Sequence, residues 1–453
     1  MCALPTPPAV WIRRRRRRRR DRLMMVACVL EILDLDDEEV VVGRTIGSTN
    51  IRRTRKKVKD MWKELGCYAR KAYRMNMDSL KKLHSLLLPA LRDEFDIKGR
   101  SRGKTPNGNI STLLRLSAAI RFFAGGSVYD IMLSHGMGKQ SVYKSVYGVV
   151  NAVNATAALA FNDNGAEFPS HEEQREIAAG FRAMSAADFD KIILTLDGML
   201  VWTTQPSAAE CELIEIGERL FHCYRKDKFG FLLMAGCDHE TRFRWVDIKH
   251  PASTSDYLAW TNTDVGIELE NDDSDLILPD HVIAGDNAFV ENMTMATPIP
   301  GTQITDVEDA YNFYLSQVRI TIERAFGILV HRWGILRRPL SMSIRKVPSI
   351  VICLMRLHNF CIANGDSRRT PTPRSRDDRH IRRRAATQRT RDDERQAAVS
   401  LDSNGIPSAL VGSGHHFRDA PRGRRPRRNN NDLTPMRKMI RKVADADLRR
   451  PAF

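Results

Sequence analysis

The sequence predicts a mixed α/β protein whose first folded unit is entirely helical. Three observations carry that prediction. Apolar residues recur at steps of three and four between Ile51 and Asn154, several short β-rich apolar runs lie between Lys191 and Ala284, and a periodic stripe extends from Tyr311 to Trp333. A chain of 453 residues has room for two or three folded units plus tails.

Within the helical unit, Met77–Leu91 places Leu80, Leu83, Leu87 and Leu91 on one face. Leu113–Phe123 follows, then the break Ala124-Gly125-Gly126, a helix over about Ser127–Ser134, the turn Gly136-Met137-Gly138, and a helix over about Gln140–Val153. Ser127 and Ser141 stand at N-cap positions. Two short helices across a glycine turn resemble a helix-turn-helix, in which Lys139, Gln140, Ser141 and Lys144 would face DNA. The same pattern also fits a helical hairpin that packs a core or a dimer. Arginine contacts to backbone phosphate are favoured over base-specific reading.

The later part reads as strands, a helix, a strand and a helix. Lys191–Leu196 is a β-rich run ending in Asp197-Gly198, and Phe229–Cys237 and Phe243–Lys249 are joined by Asp238-His239-Glu240. Tyr257–Leu269 is a candidate helix, and His281–Ala284 is a buried strand ending in Gly285-Asp286-Asn287. Long helices are predicted over about Val307–Trp333 and Lys346–Ile362. On the first of these, Tyr311, Tyr314, Val318, Ile322, Phe326, Leu329 and Trp333 form a core face, and Asn312, Ser316, Arg319 and Glu323 form a polar stripe. The default for Arg319 and Glu323 is an exposed i,i+4 ion pair; a helix lining an active site would carry the same stripe.

Asp197 and Asp286 each end an apolar strand at a glycine-bearing turn. A carboxylate there signals turn chemistry or a ligand, because acidic residues are poor strand formers and a buried charge needs a partner. Together with Glu323, the two could hold a pair of Mg²⁺ ions for in-line phosphodiester displacement, since magnesium takes oxygen ligands without His or Cys.

Composition narrows the classes further. The net charge is +17, with 42% hydrophobic and 28% charged residues, which is ordinary globular material. No run of about 18 uncharged apolar residues stands out as a membrane span, so a soluble or peripheral protein is expected. A basic chain calls for an anionic partner, nucleic acid before a membrane surface. The charge is uneven: residues 1–170 carry +15, 171–370 carry −9 and 371–453 carry +11. Arg13–Arg20 is an unbroken arginine run, followed by an apolar stretch that contains Glu31 and then by the acidic run Asp34–Glu39, a pattern unlike a secretory signal. A nucleic-acid or nuclear-import tract is the better reading of the arginines. A second basic cluster lies at Arg422–Arg428, in a tail with a short helix at most, near Pro435–Leu448.

The expected organisation is a disordered basic segment over 1–50, a helical helix-turn-helix-like DNA-binding domain over 51–160, a catalytic domain over 185–365 and a disordered basic tail over 366–453. Eight cysteines without a CxxC pair argue against a disulfide scaffold and a zinc ribbon. His222-Cys223 and Cys237/His239 could face each other as zinc ligands, although buried thiols are the commoner outcome.

These motifs, in this order, resemble the PIF/Harbinger class of DDE transposases and proteins derived from them. The resemblance starts near Tyr73-Arg74-Met75 and runs through Leu116–Val150, Leu196-Asp197-Gly198, Arg225–Gly230, Pro251–Asp256, Gly285–Phe289, Tyr311–Leu336 and Leu357-His358-Asn359-Phe360. It implies an RNase H-like mixed-sheet catalytic domain with a DDE triad at Asp197, Asp286 and Glu323. It also implies two Mg²⁺ (or Mn²⁺) ions, cleavage of double-stranded DNA at transposon ends, strand transfer and a nuclear site of action. A separate Myb/SANT-like DNA-binding partner and a homo-oligomer are further implications, and a domesticated, non-catalytic DNA-binding protein is the alternative outcome. Phe289 stands where the family commonly has Tyr. Asp256 is the main competitor as a ligand, while Asp272, Asp273, Asp275 and Asp280 read as solvated loop acids. His358-Asn359 reads as a core or supporting pair.

Overall fold

In the computed structural model the fold is described for residues 54–95, 109–271, 273–301, 303–366 and 434–450. The expected tracts at 1–50, Arg13–Arg20 and Arg422–Arg428, and Asp272 among the loop acids, lie outside the described residues.

The helical part comprises α1 (Val58–Leu65), α2 (Ala69–Tyr73), α3 (Met77–Phe95), α4 (Thr112–Phe123), α5 (Val128–His135) and α6 (Lys139–Ala155). The leucine stripe of α3 is wholly buried, as its spacing predicts. Ser111 and Ser127 cap α4 and α5 by accepting from Leu114 N and Tyr129 N. The predicted cap at Ser141 is not formed: α6 begins earlier, with Gly138 at the N-cap, and Ser141 sits half-buried within the first turn. Gly136 ends α5 with φ +61, and the Thr54 carbonyl occupies the space a Cβ would need.

A helix absent from the expectation, α7 (His171–Met184), leads into the sheet. Its signal was present: Ser170 and Glu173 form a reciprocal capping box, and Ile177, Ala178 and Phe181 are buried at helical spacing. The sheet contains β1 (Ile192–Thr203), β2 (His222–Cys223), β3 (Lys228–Cys237), β4 (Phe243–Pro251), β5 (Val282–Ala284) and β6 (Met295–Ala296). Its order is β2-β3-β1-β5-β6, with β4 also paired to β3. Antiparallel pairing joins β1, β3 and β4, and β5 and β6 run parallel to β1. This mixed sheet flanked by helices is compatible with an RNase H-like domain.

The first strand departs from the expectation. Asp197-Gly198 is not a turn; β1 runs on to Thr203, held by continuous antiparallel register with β3 from Thr195↔Cys237 to Thr203↔Phe229. A nine-pair ladder outweighs the poor strand propensity of Asp and Gly. The candidate helix at Tyr257–Leu269 is two short ones, α9 (Asp256–Thr261) and α10 (Asp264–Glu268); α8 (Ala208–Leu213) precedes them. The two long helices form as predicted, α11 (Asp306–Arg332) and α12 (Val347–Ala363).

Helical part and sheet share one hydrophobic core, in which Phe123, Val149, Leu233, Phe243, Leu329, Trp333 and Leu354 are buried together. By length and composition Ile344–Ala363 is apolar enough to cross a membrane, but 61% of that window is buried inside the protein. Within the tail expected to be disordered, the short helix anticipated near Pro435–Leu448 is present as α13 (Pro435–Asp445). Its Met439 and Val443 are buried with Tyr311, Tyr314 and Val318, and Lys442 Nζ meets Asp190 Oδ1 at 2.6 Å. Two apolar residues four apart give that helix a face that α11 covers, which overrides its basic composition.

Buried polar groups tie the layers together. Asn359 Nδ2 donates to the Phe243 carbonyl at 2.8 Å and its Oδ1 accepts from Phe243 N at 2.9 Å. His358 Nε2 donates to the Thr241 carbonyl at 3.0 Å. The Leu357–Phe360 motif therefore clamps the β3–β4 hairpin onto α12. Burial pushes His358 down to about 3 and, with help from Arg121, His135 down to about 4.

Both imidazoles are held neutral by the fold. Their stabilising contribution is complete above the unfolded value of about 6.5 and is lost as pH falls toward the folded values. We expect each to cost about 2 kcal/mol of stability between pH 7.5 and pH 5, read by urea melts at the two pH values. His358→Gln should shrink that difference, and an unchanged pH dependence would count against the account.

Candidate active site

Asp197 lies mid-strand on β1, opposite Ala235 of β3, and its Oδ1 accepts from Gly198 N at 2.8 Å. On the other flank of β1 the parallel register pairs Thr195 with Ala284 of β5. Two residues further along each chain, Asp197 within β1 and Asp286 just past the end of β5 fall level with one another. Asp286 is placed by its own turn, with Oδ1 accepting from Ala288 N at 2.8 Å and its carbonyl from Phe289 N at 3.1 Å. Gly285 is required there, since a Cβ would come within 2.8 Å of the Phe289 ring and 2.9 Å of Met295 Sδ. Phe289 is buried in that contact, so its ring anchors the turn without needing a hydroxyl.

Asp256 opens α9, whose N-cap Ser255 accepts from Leu258 N. Its Oδ1 occupies the space that a Cβ on Gly198 would need, so Asp256 abuts β1 at the residue after Asp197, close enough for its charge to be felt there. Burial, followed by the charges of Asp286 and Asp256, raises the Asp197 carboxyl to about 6 against the Gly198 N–H and Arg319. Burial and Asp286 likewise raise Asp256, against Arg225 and Lys226. The three aspartates therefore share a partly desolvated, strongly negative pocket edge.

The fourth acid is placed differently. Glu323 is exposed on α11, and among the described residues no ion pair joins it to Arg319. The expected i,i+4 bridge is thus not formed; Arg319 is half-buried and near enough to lower Asp197. The Arg319 Nε is buried without a hydrogen-bond partner. Asn312 pairs with the backbone of Ile299 through both amide atoms, at 2.7 and 3.0 Å, anchoring the loop ahead of α11. Ser316 is exposed and donates to the Phe313 carbonyl at 2.8 Å. Neither is gathered with the aspartates.

The donor chemistry suits a hard divalent cation: only carboxylate oxygens are offered, and their mutual repulsion is what a cation would relieve. Among the described residues, no three His, Cys, Asp or Glu side chains converge closely enough to form a ligand group. Cys223 and Cys237 stand at opposite ends of β3's span, roughly 30 Å apart by strand rise. They do not face each other, and Cys237 Sγ instead meets Thr195 Oγ1 at 3.2 Å. Asp273, Asp275 and Asp280 are exposed, as expected, and Asp280 pairs with Lys438.

A cleft of about 680 Å³ lies elsewhere, between α5, α6 and the segment after α11. Tyr129, Lys139, Tyr143, Tyr147 and Arg338 line it. Lys139, Gln140 and Lys144 are exposed at the start of α6, with Lys139 Nζ 5.9 Å from the Tyr129 ring centroid. The aromatic lining and Arg338 were not singled out from the sequence, because they meet only through tertiary packing.

Residues 196–359 match the family model described as DDE superfamily endonuclease, and that stretch is consistent with the catalytic part of a DDE transposase. It begins one residue before Asp197 and ends on the Asn359 clamp, so it encloses the aspartates, Arg319 and Glu323. No curated protein and no solved structure matches the chain.

Proposed function

We propose that the protein is a metal-dependent DNA nuclease of the transposase type, cutting phosphodiester bonds at element ends and transferring strands. The observation that carries this reading is the placement of Asp197, midway along β1, level with Asp286 just past the end of the adjacent parallel strand β5, inside the segment that matches the endonuclease family. Asp197, Asp286 and Glu323 would hold Mg²⁺ or Mn²⁺, with Asp256 as a further carboxylate at Asp197. When bound, a pair of such ions supplies activation of water or a 3′-hydroxyl and stabilisation of the leaving oxygen. The chain's own part is to fix the aspartates by the strand register and the Gly285–Phe289 turn, and to bring Arg319 beside them. The start of α6, at exposed Lys139, Gln140 and Lys144 and half-buried Ser141, would contact double-stranded DNA in a helix-turn-helix manner. A nuclear location, a homo-oligomer and a Myb/SANT-like partner complete the proposal.

One observation favours a second reading. Glu323 is exposed, and among the described residues no three carboxylates converge as a ligand group, as in a derived protein that keeps the fold and binds DNA without cutting it. Incubating the full chain with DNA carrying the source element's terminal repeats and Mg²⁺ or Mn²⁺ separates the two. We expect nicking that Glu323→Gln reduces at least ~10²-fold. DNA binding without nicking, even with a partner protein added, would establish the second reading instead.

A further inference from the structure

We infer that the tip of the β2–β3 hairpin, Tyr224 to Asp227, grips an unpaired DNA end on its way to the aspartates, about 23 Å along β3 from the level of Asp197: Arg225 and Lys226 hold backbone phosphates and Tyr224 stacks on a freed base. The inference rests on the nuclease reading above and adds the form of DNA that the site selects.

The hairpin is short and stiff. Only His222↔Phe229 and Cys223↔Lys228 pair, leaving a four-residue tip that is exposed throughout. The His222 ring lies 4.8 Å from the Tyr224 ring and 4.9 Å from Phe229, and His222 Nε2 meets Asp227 Oδ1 at 3.1 Å. Asp227 takes φ +48 to turn the chain, and Lys226 N donates to the Cys223 carbonyl. Tyr224 meets His222 at an interplanar angle of 86° while 74% of it stays exposed. Such a display leaves a π-face open at little ordering cost, and a base can stack on it with least competition where it has left the helical stack, as in an unpaired strand.

Charge and position supply the rest. Lys228 is already engaged, 4.1 Å over the Trp202 ring. Arg225 and Lys226 make no side-chain hydrogen bond or ion pair among the described residues. The backbone ties the hairpin to the acidic edge: Ala252 N donates to the Gly230 carbonyl and Ser253 N to the Leu220 carbonyl, both at 3.0 Å. Both flanks of the hairpin are thus stitched to the segment that delivers Asp256, and Asp256 abuts Gly198 beside Asp197. The charges of Arg225 and Lys226 are felt at Asp256. Tyr257 and Leu258, next in the chain after Asp256, expose apolar surface. Two cations and an open ring at the rim of an acidic edge match a phosphate backbone with splayed bases, and they give an acidic peptide no use for the ring.

The test is equilibrium binding of the full-length chain, in metal-free buffer at several salt concentrations, to two DNAs. One is a blunt duplex; the other is the same duplex with about four unpaired nucleotides carrying 2-aminopurine. Wild type is expected to prefer the unpaired end about tenfold and to change the probe's fluorescence, given ~1–3 kcal/mol per stacked base. Tyr224→Ala should lose that preference and the fluorescence change, and Tyr224→Phe should keep both. Arg225→Ala with Lys226→Ala should weaken the unpaired end and lower its log–log salt slope by about 1.4. Unchanged thermal melts would show that the variants fold. Wild-type affinity and preference in all of these variants, or no preference in wild type, overturns the inference. Because no cutting is required, a chain that grips unpaired ends but never nicks would sink the nuclease reading alone. A chain that nicks with tip variants indistinguishable from wild type in binding would sink the hairpin alone.

Discussion

Asp197→Asn is expected to yield a protein that is inactive and yet more stable than wild type. With the carboxyl raised to about 6, the folded state disfavours the ionised form that is present at pH 7.5. The sign follows from linkage: the penalty is absent below the unfolded value of about 3.9, grows as pH rises to the folded value, and is complete above it. Asparagine keeps an oxygen for Gly198 N and carries no charge, so it removes the penalty. The expected gain without divalent cation is on the order of 2–3 kcal/mol at pH 7.5 and close to nothing at pH 4, measured by urea or thermal melts. Cutting should fall at least ~10³-fold, because the residue that would meet both metal and reacting phosphate is lost. Adding Mg²⁺ or Mn²⁺ should raise the melting temperature of wild type more than that of the variant, since a ligand that binds only the native state stabilises it. A variant that is less stable than wild type at pH 7.5 would refute the electrostatic account. A variant that cuts normally would refute the site assignment.

Stability set against function in this way explains part of what was legible in the sequence. Asp197 and Asp286 stood out because each interrupts an apolar run, which a chain selected for strand stability alone would not contain. The long helices were legible because α11 and α12 repeat their buried positions over many turns. Elements two or three residues long, such as β2 and β6, have no period to read and exist only through their partners. The continuation of β1 through Gly198 was hidden for the same reason: a nearby β3, not local propensity, decides it. Side-chain company was the least legible layer. Spacing put Arg319 and Glu323 on one face, but packing against β1 takes Arg319 toward the aspartates and leaves Glu323 in solvent. The same spacing put Asn312 on the polar stripe, although its amide is committed to Ile299.

Gly198→Ala should separate the contribution of Asp256 from that of the strand. The methyl group would enter space now held by Asp256 Oδ1, with Leu232 Cδ1 only 3.2 Å away on its other side. Strand geometry itself tolerates alanine, because Gly198 does not adopt a positive φ and pairs regularly with Met234. The side chain able to move is half-buried Asp256, at the first position of α9, so it yields before the sheet does. Since misplacement by about 1 Å of a group that positions reacting atoms can cost ~10²-fold, cutting is expected to fall by about that factor with the fold intact. Moving Asp256 away also relieves Asp197 of one of the two negative charges that raise it, so the Asp197 carboxyl should titrate lower in the variant. Asp256→Asn removes the charge without the push. If its cutting equals wild type while Gly198→Ala still fails, the loss comes from distortion of β1 at Asp197. If both single variants and their combination lose the same amount, the coupling runs through Asp256, as expected of two changes acting on one group. Circular dichroism melts within a few degrees of wild type are the condition for reading either result as chemistry.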